Sequence, residues 1–232
     1  MNRVKEHYQN HLSNFYSWMT GDFEENKNSF KTFCLNNNLS PLCRKKALNL
    51  GAGNGIQTVA LAELDYEVTA IDFDSSLLKE LKNNAKENTD NIKIMEDKLE
   101  NFTSYYHNNS VDLIVCYDDT IAHLNCLEDL EQLFMDCYNT LNNKSHLILS
   151  FRDYSYELTG NEGVLPVKSD DNKILTCILE YYEDKVKVTD LLYEKIDGYW
   201  RQKINSYNKL RISKSLIIKL LENGGFSSTA AE

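Results

Sequence analysis

The sequence predicts an α/β fold, a doubly wound and mostly parallel sheet with an antiparallel β insertion. Three observations carry this. Short apolar runs alternate with helical apolar periodicity from residue 46 to residue 151. A glycine-rich turn stands at the first strand-to-helix junction. After residue 151 the rhythm changes to long β-rich runs joined by hairpin signals.

The elements follow in order. Tyr8, Leu12, Phe15, Tyr16 and Met19 share one helical face and predict a single amphipathic helix over residues 8–19. A second helical stretch ends where Asn36, Asn37 and Asn38 break it. Ala47–Leu50, Val68–Ile71, Ile92–Met95, Val111–Val115 and His146–Phe151 are apolar enough for strands buried on both faces. Between them, Ile56, Val59, Ala60 and Leu64 mark one helix face, and Leu77, Leu78, Leu81 and Ala85 another. Leu127, Leu130, Phe134, Cys137 and Leu141 mark a third, with Asn125 and Glu128 spaced as a cap pair. Residues 174–182 and 185–193 read as strands around Glu183-Asp184, and Asp197-Gly198 as a tight hairpin turn. The tyrosines of these strands, Tyr181, Tyr182, Tyr193 and Tyr199, read as sheet surface. Leu216, Ile217, Leu220 and Leu221 form a last helix, stopped by Gly224-Gly225. The expected organisation is a helical cap over 1–45, a core over 46–154 and 208–232, and an insertion over 155–207.

Composition narrows the function. The formal net charge is −10, and the one basic run, Arg44-Lys45-Lys46, is too short for a nucleic-acid-binding face. No stretch of about 18 apolar residues exists, so no membrane span is expected. Met1 to His7 show no apolar segment of a secretory leader, and a cytoplasmic setting is expected. The six cysteines form no CxxC pair and read as buried reduced thiols, with no metal-ligand spacing. Oligomeric state is not legible.

The sharpest local signal is Leu48-Asn49-Leu50-Gly51-Ala52-Gly53-Asn54-Gly55. Glycines there let the backbone turn sharply and approach a ligand, and the helix that follows offers unpaired N–H donors. Asp72 lies 21 residues after Gly51 at the tip of the second strand, where a carboxylate can accept both hydroxyls of a ribose. Asp74 is the better helix cap, and Phe73 can pack on an adenine face. The third strand ends in Asp97-Lys98-Leu99, where an acid can accept an adenine amine. All three candidates fall at carboxyl ends of neighbouring strands, where open α/β sheets bind ligands.

Gly51-x-Gly53-x-Gly55, Asp72 and Asp97 resemble the first three motifs of class I S-adenosylmethionine-dependent methyltransferases, over about residues 8–151 and the helix at 213–224. The resemblance implies a Rossmann-like sheet of seven strands, with S-adenosyl-L-methionine across its carboxyl edge and Asn49, Ala52, Tyr117 and Asp118 beside it. Nicotinamide-dependent dehydrogenases share the strand, loop and acid, but usually with G-x-G-x-x-G spacing. The chain departs from the family in Asn49, where an acid is common, and in ending soon after Gly225-Phe226, so that either an insertion strand substitutes at the sheet edge or the sheet has fewer strands.

Tyr117-Asp118-Asp119-Thr120-Ile121-Ala122-His123-Leu124 is similar to an acceptor-side segment of small-molecule methyltransferases, including glycine N-methyltransferases, with Asp119 in place of the usual Asn. Arg152-Asp153-Tyr154 is similar to the segment in which those enzymes hold a substrate carboxylate with an arginine. The resemblance therefore implies Arg152 as a carboxylate clamp, and Asp118, Asp119 or His123 as proton acceptor for an amine. A structural histidine and an Arg152 paired with Asp153 or another acid are the plain alternatives. The N-terminal helix is expected to act as a lid, with Tyr8 or Trp18 reaching the cofactor. The function expected is methyl transfer to a small-molecule amine or amino acid. The alternatives are a dinucleotide-dependent oxidoreductase and a non-catalytic S-adenosylmethionine-binding protein.

Overall fold

The computed structural model describes residues 3–227. The first two and last five residues of the predicted cap and core segments lie outside the described residues, as does the start of the leader reading. Five strands pair in parallel: β1 (Lys46–Leu50), β2 (Glu67–Asp72), β3 (Ile92–Glu96), β4 (Val111–Cys116) and β5 (Leu141–Leu149), in the order β3-β2-β1-β4-β5. The order reverses beside β1, so β1 and β4 diverge at their carboxyl ends and leave a crevice there.

Both faces of the sheet are covered, which is why its central strands are continuously apolar. On one face, Ala47, Val68, Leu113 and Val115 pack against α3 (Phe23–Asn36) and α4 (Ile56–Ala62) through Phe30, Cys34, Ala60 and Leu61. On the other, Leu48, Leu50, Ile71 and Ile114 meet α6 (Leu127–Thr140) and α7 (Lys214–Asn223) through Leu130, Phe134, Cys137 and Ile217. Leu113 and Ile114 are fully buried, and truncating either to Ala would cost about 2–5 kcal/mol. Asp74 caps α5 (Ser75–Ala85), accepting from the N–H groups of Ser76 and Leu77.

The second sheet is antiparallel and orders β6 (Val164–Ser169), β7 (Lys173–Tyr181), β8 (Lys185–Ile196) and β9 (Tyr199–Leu210) in sequence. Asp197 and Gly198 both take left-handed backbone (φ 51° and 82°), as the predicted two-residue hairpin requires. The sheet runs to Leu210, past the expected boundary at 207.

Several expectations need correction. Among the described residues the parallel sheet has five strands, not the seven that the resemblance implies, because the chain leaves it after β5 to build the second sheet. Residues 8–19 are not one helix. α1 (Arg3–Asn10) stops, a 3₁₀ turn covers Leu12–Asn14, and α2 (Tyr16–Thr20) starts afresh. The break lets Leu12 and Phe15 insert against Leu175 and Leu192 of the antiparallel sheet. Cys126, not Asn125, occupies the cap position of α6, and its side chain makes no cap bond. The six cysteines are free, but Cys43 is exposed rather than buried. Among the described residues, no helix is long and apolar enough to cross a membrane, and no group of three or more His, Cys, Asp or Glu is placed to hold a metal ion.

Candidate active site

The glycine loop leaves β1 and turns into α4. Gly51, Gly53 and Gly55 all have left-handed backbone, at φ 76°, 52° and 95°. A Cβ at Gly51 would stand 2.4 Å from Thr120, so a side chain there would force the loops after β1 and β4 apart. The Gly51 and Ala52 N–H groups both donate to the Ile71 carbonyl, which fastens the loop to β2. Asn49 lies fully buried within β1. Its Nδ2 donates to Thr58, and its Oδ1 has no partner.

Asp72 is buried at the tip of β2, where it accepts from the Gly53 N–H (2.8 Å) and the Asp74 N–H (2.9 Å). Burial raises its pKa to about 6, against the pull of those two donors. Phe73 follows and meets the Tyr8 ring edge-on at 5.3 Å. Asp97, at the tip of β3, is half-buried. It accepts from Asn101 and from the Tyr105 hydroxyl, and these bonds hold its carboxyl below the usual range. Lys98 is exposed beside it, and Leu99 joins the core.

The N-terminal segment lies on this edge. Tyr16 sits over Gly53, its hydroxyl 3.2 Å from where a Cβ would be. Ser13 donates to Asp74 (2.8 Å), and the Asn54 amide donates to Ser17, which in turn donates to Glu80. Of the two aromatic residues expected at the site, Tyr8 reaches it. Trp18 does not: its indole N–H donates to Asp170 in the β6–β7 turn, and the residue is absent from the cavity wall.

A cavity of about 1090 Å3 opens between the β4 and β5 tips, the N-terminal segment and the antiparallel sheet. Tyr8, Tyr117, Asp118, Asp119, His123 and Arg152, distant in sequence, all line it. Asp72, Phe73 and Asp97, expected on the nucleoside side, lie outside its wall, with Tyr8 against Phe73.

Asp119 accepts from the Arg152 backbone N–H (3.0 Å), the Tyr154 hydroxyl (2.9 Å) and the Lys209 ammonium (2.5 Å). Burial opposes its charge, but Lys209 and the other donors outweigh burial and hold its carboxyl below the usual range. His123 approaches the Tyr8 hydroxyl through Nε2 at 3.3 Å, and its Nδ1 has no partner. Burial, helped by the Lys209 charge, pushes its pKa down to about 3, so it is a weak base.

The Arg152 side chain is exposed on the cavity wall. Among the described residues no carboxylate pairs with it, and the Asp153 carboxylate instead accepts from the Ser155 and Lys214 N–H groups. The ion pair considered as its plain alternative is not formed.

Sequence reasoning missed Lys209, which sits in an ordinary strand alternation and carried no local signal. It also missed Gln57 beside Asp118, and Asp190, which lines the far wall 3.0 Å from His7.

Comparisons with known proteins agree with this architecture. Residues 47–144 match the model of a methyltransferase domain family. No curated protein matches the sequence significantly. Among solved structures, an S-adenosylmethionine-dependent methyltransferase from Clostridium acetobutylicum is similar in fold at 19% identity. That match covers 96% of this chain and 86% of the other, with a TM-score of 0.68. The sugar N-methyltransferase KedS8 from Streptoalloteichus matches at 11% identity, over 92% and 83% of the two chains, with a TM-score of 0.69. CalS10 from Micromonospora echinaspora, an amino pentose methyltransferase solved with S-adenosylmethionine bound, matches at 9% identity, over 88% and 84%, also at 0.69. The family match spans residues 47–144, and beyond it the likeness is one of fold, shared with structures of which CalS10 holds S-adenosylmethionine.

The residues present fit that cofactor. The glycine cradle excludes side chains, the Asn49 Oδ1 is a buried acceptor without a donor, and Asp72 and Asp97 supply carboxylates at adjacent strand tips.

Proposed function

We propose that this enzyme methylates a small-molecule amine that also carries an anionic group, of the amino-acid type. The observation that carries the reading is the Arg152 guanidinium, exposed on the cavity wall with no carboxylate partner among the described residues. In a protein of formal net charge −10, an uncommitted cation at the catalytic edge suits a carboxylate, which a guanidinium grips with two parallel bonds.

When bound, the cofactor supplies a methyl group already activated on sulfonium. The protein's task is then alignment and exclusion of water. On this reading Asp72 holds the ribose, Asp97 the adenine amine, and the glycine loop the backbone-facing side. Asn49 contributes an uncharged acceptor. Tyr8 and Tyr16 close over the reaction, and Arg152 fixes the acceptor's anionic end. His123, a weak base, orients Tyr8. Asp119 holds the β5 loop in place.

A second reading, a neutral amino sugar as acceptor, is favoured by the likeness to a sugar N-methyltransferase and an amino pentose methyltransferase. A methyl-transfer screen over amino acids, simple amines, amino sugars and phenols separates the two. The expected hit bears a carboxylate. Arg152→Lys, which keeps the charge and loses the paired geometry, should raise its KM about tenfold and barely change S-adenosylhomocysteine affinity. Turnover of an acceptor without an anionic group, indifferent to Arg152→Lys, would refute the clamp.

A further inference from the structure

Two aspartates stand side by side at the tip of β4, both in left-handed backbone (φ 53° at Asp118, 69° at Asp119). The same turn treats them oppositely. Asp119 has its oxygens filled by an N–H, a hydroxyl and an ammonium. Asp118 keeps an exposed carboxylate on the cavity wall, steadied by one hydrogen bond from Gln57, and no Lys, Arg or His among the described residues pairs with it. Lys209, the cation that bears on it from β9, is already held by Asp119.

The surroundings of Asp118 are aromatic. Tyr8, Tyr16 and Tyr117 line the same cavity, and its charge bears on the phenol of each. A carboxylate among aromatic faces is an environment suited to a cation, because charge and ring quadrupoles attract it together. Tyr16 also lies over Gly53, so this corner adjoins the cofactor loop.

We propose that Asp118 is the ammonium-recognition residue for the methyl acceptor, and that it takes the acceptor's surplus proton. This rests on the amine reading above. The acceptor's ammonium gives one proton to an Asp118 oxygen. The freed nitrogen lone pair forms the new N–C bond as the sulfonium S–C bond breaks, and that bond's electron pair stays on sulfur. The nitrogen leaves as a methylated ammonium, and the proton on Asp118 passes to solvent through the open cavity. Asp119, fixed by Lys209, positions the turn and touches no reacting atom.

The test needs no acceptor. Sinefungin carries an ammonium where the cofactor carries its sulfonium methyl, and S-adenosylhomocysteine carries neither. Calorimetry with both gives a preference ratio. The wild type should favour sinefungin. Asp118→Asn and Asp118→Gly both tolerate a left-handed backbone. Each should lose on the order of tenfold of the preference for sinefungin over S-adenosylhomocysteine, as expected for one charge-assisted hydrogen bond. An unchanged preference overturns the proposal. A parallel loss for both ligands also overturns it, and assigns Asp118 to the α-ammonium that both share. If the wild type binds neither ligand, the cofactor assignment falls first and this site with it. If both bind normally but only hydroxyl acceptors turn over, the amine reading falls, and the acceptor role of Asp118 falls with it.

Discussion

The Lys209 ammonium, near the end of β9, stands 2.5 Å from the Asp119 carboxylate at the tip of β4, 90 residues away in sequence. Both side chains are mostly buried, at 11% and 15% exposure. Asp119 also holds the Arg152 N–H and the Tyr154 hydroxyl, so one carboxylate fastens the antiparallel sheet and the β5 loop to the catalytic edge.

Removing the lysine should therefore loosen that junction. Lys209→Met is expected to lower stability at pH 7 by about 2 kcal/mol, since it strands a largely buried carboxylate. The sign of the pH dependence follows from Asp119. Its folded pKa lies below the ordinary 3.8, so the contribution is present above 3.8 and is lost as pH falls through the lower folded value. Urea unfolding of both proteins should show their difference widest near neutrality and shrinking below pH 4. A constant difference across that range would mean that lost packing, not charge pairing, sets the effect.

Asp72 carries the opposite sign. Its folded pKa of about 6 lies above the unfolded value, so its contribution to the ligand-free protein is fully present below 3.8 and is lost as pH rises through 6. Asp72→Asn removes a buried charge but turns an amide NH2 toward one of the two N–H donors, so above pH 6 the ligand-free protein should stay within about 2 kcal/mol of the wild type. The substitution should also weaken S-adenosylhomocysteine binding roughly ten- to hundredfold, through the loss of charged bonds to two hydroxyls. Thermal melts and calorimetry at pH 7.5 read both quantities. Unaltered affinity would remove Asp72 from the ribose site.

The N-terminal segment should move with the cofactor. Tyr8 lies against Phe73 and Tyr16 over Gly53, while Asp72 and Phe73 stand outside the open cavity. A nucleoside reaching Asp72 must shift those rings, and the segment then closes again over it. Hydrogen exchange across residues 5–25 should slow on saturation with S-adenosylhomocysteine. Ser13→Ala, which cuts the bond to Asp74, should speed ligand dissociation several-fold. Exchange that stays the same with and without ligand would make the segment a fixed wall.

Much of this was legible before any coordinates. The β1 turn, the Asp74 cap and the Asp197-Gly198 hairpin are decided by residues within a few positions of one another, and each appears where its chemistry demands. The N-terminal helix failed the same test. Its periodicity is real, but Leu12 and Phe15 gain more by inserting between Leu175 and Leu192 than by continuing the helix. Trp18 is held elsewhere for a related reason, since a distant acid, Asp170, accepts its N–H.

The sequence by itself determined the alternation of strand and helix, the glycine cradle, the acids at the strand tips and the acidic character of the chain. These are properties of period, turn and composition, and they are written locally. Tertiary structure alone decided, among the described residues, that the parallel sheet stops at five strands, that Lys209 neutralises Asp119 and not Asp118, and that Arg152 is left without an acid. Each of these depends on which side chains meet across segments far apart in sequence. Pairing of charges in a partly buried site is set by distance and desolvation in three dimensions, and no spacing along the chain encodes it.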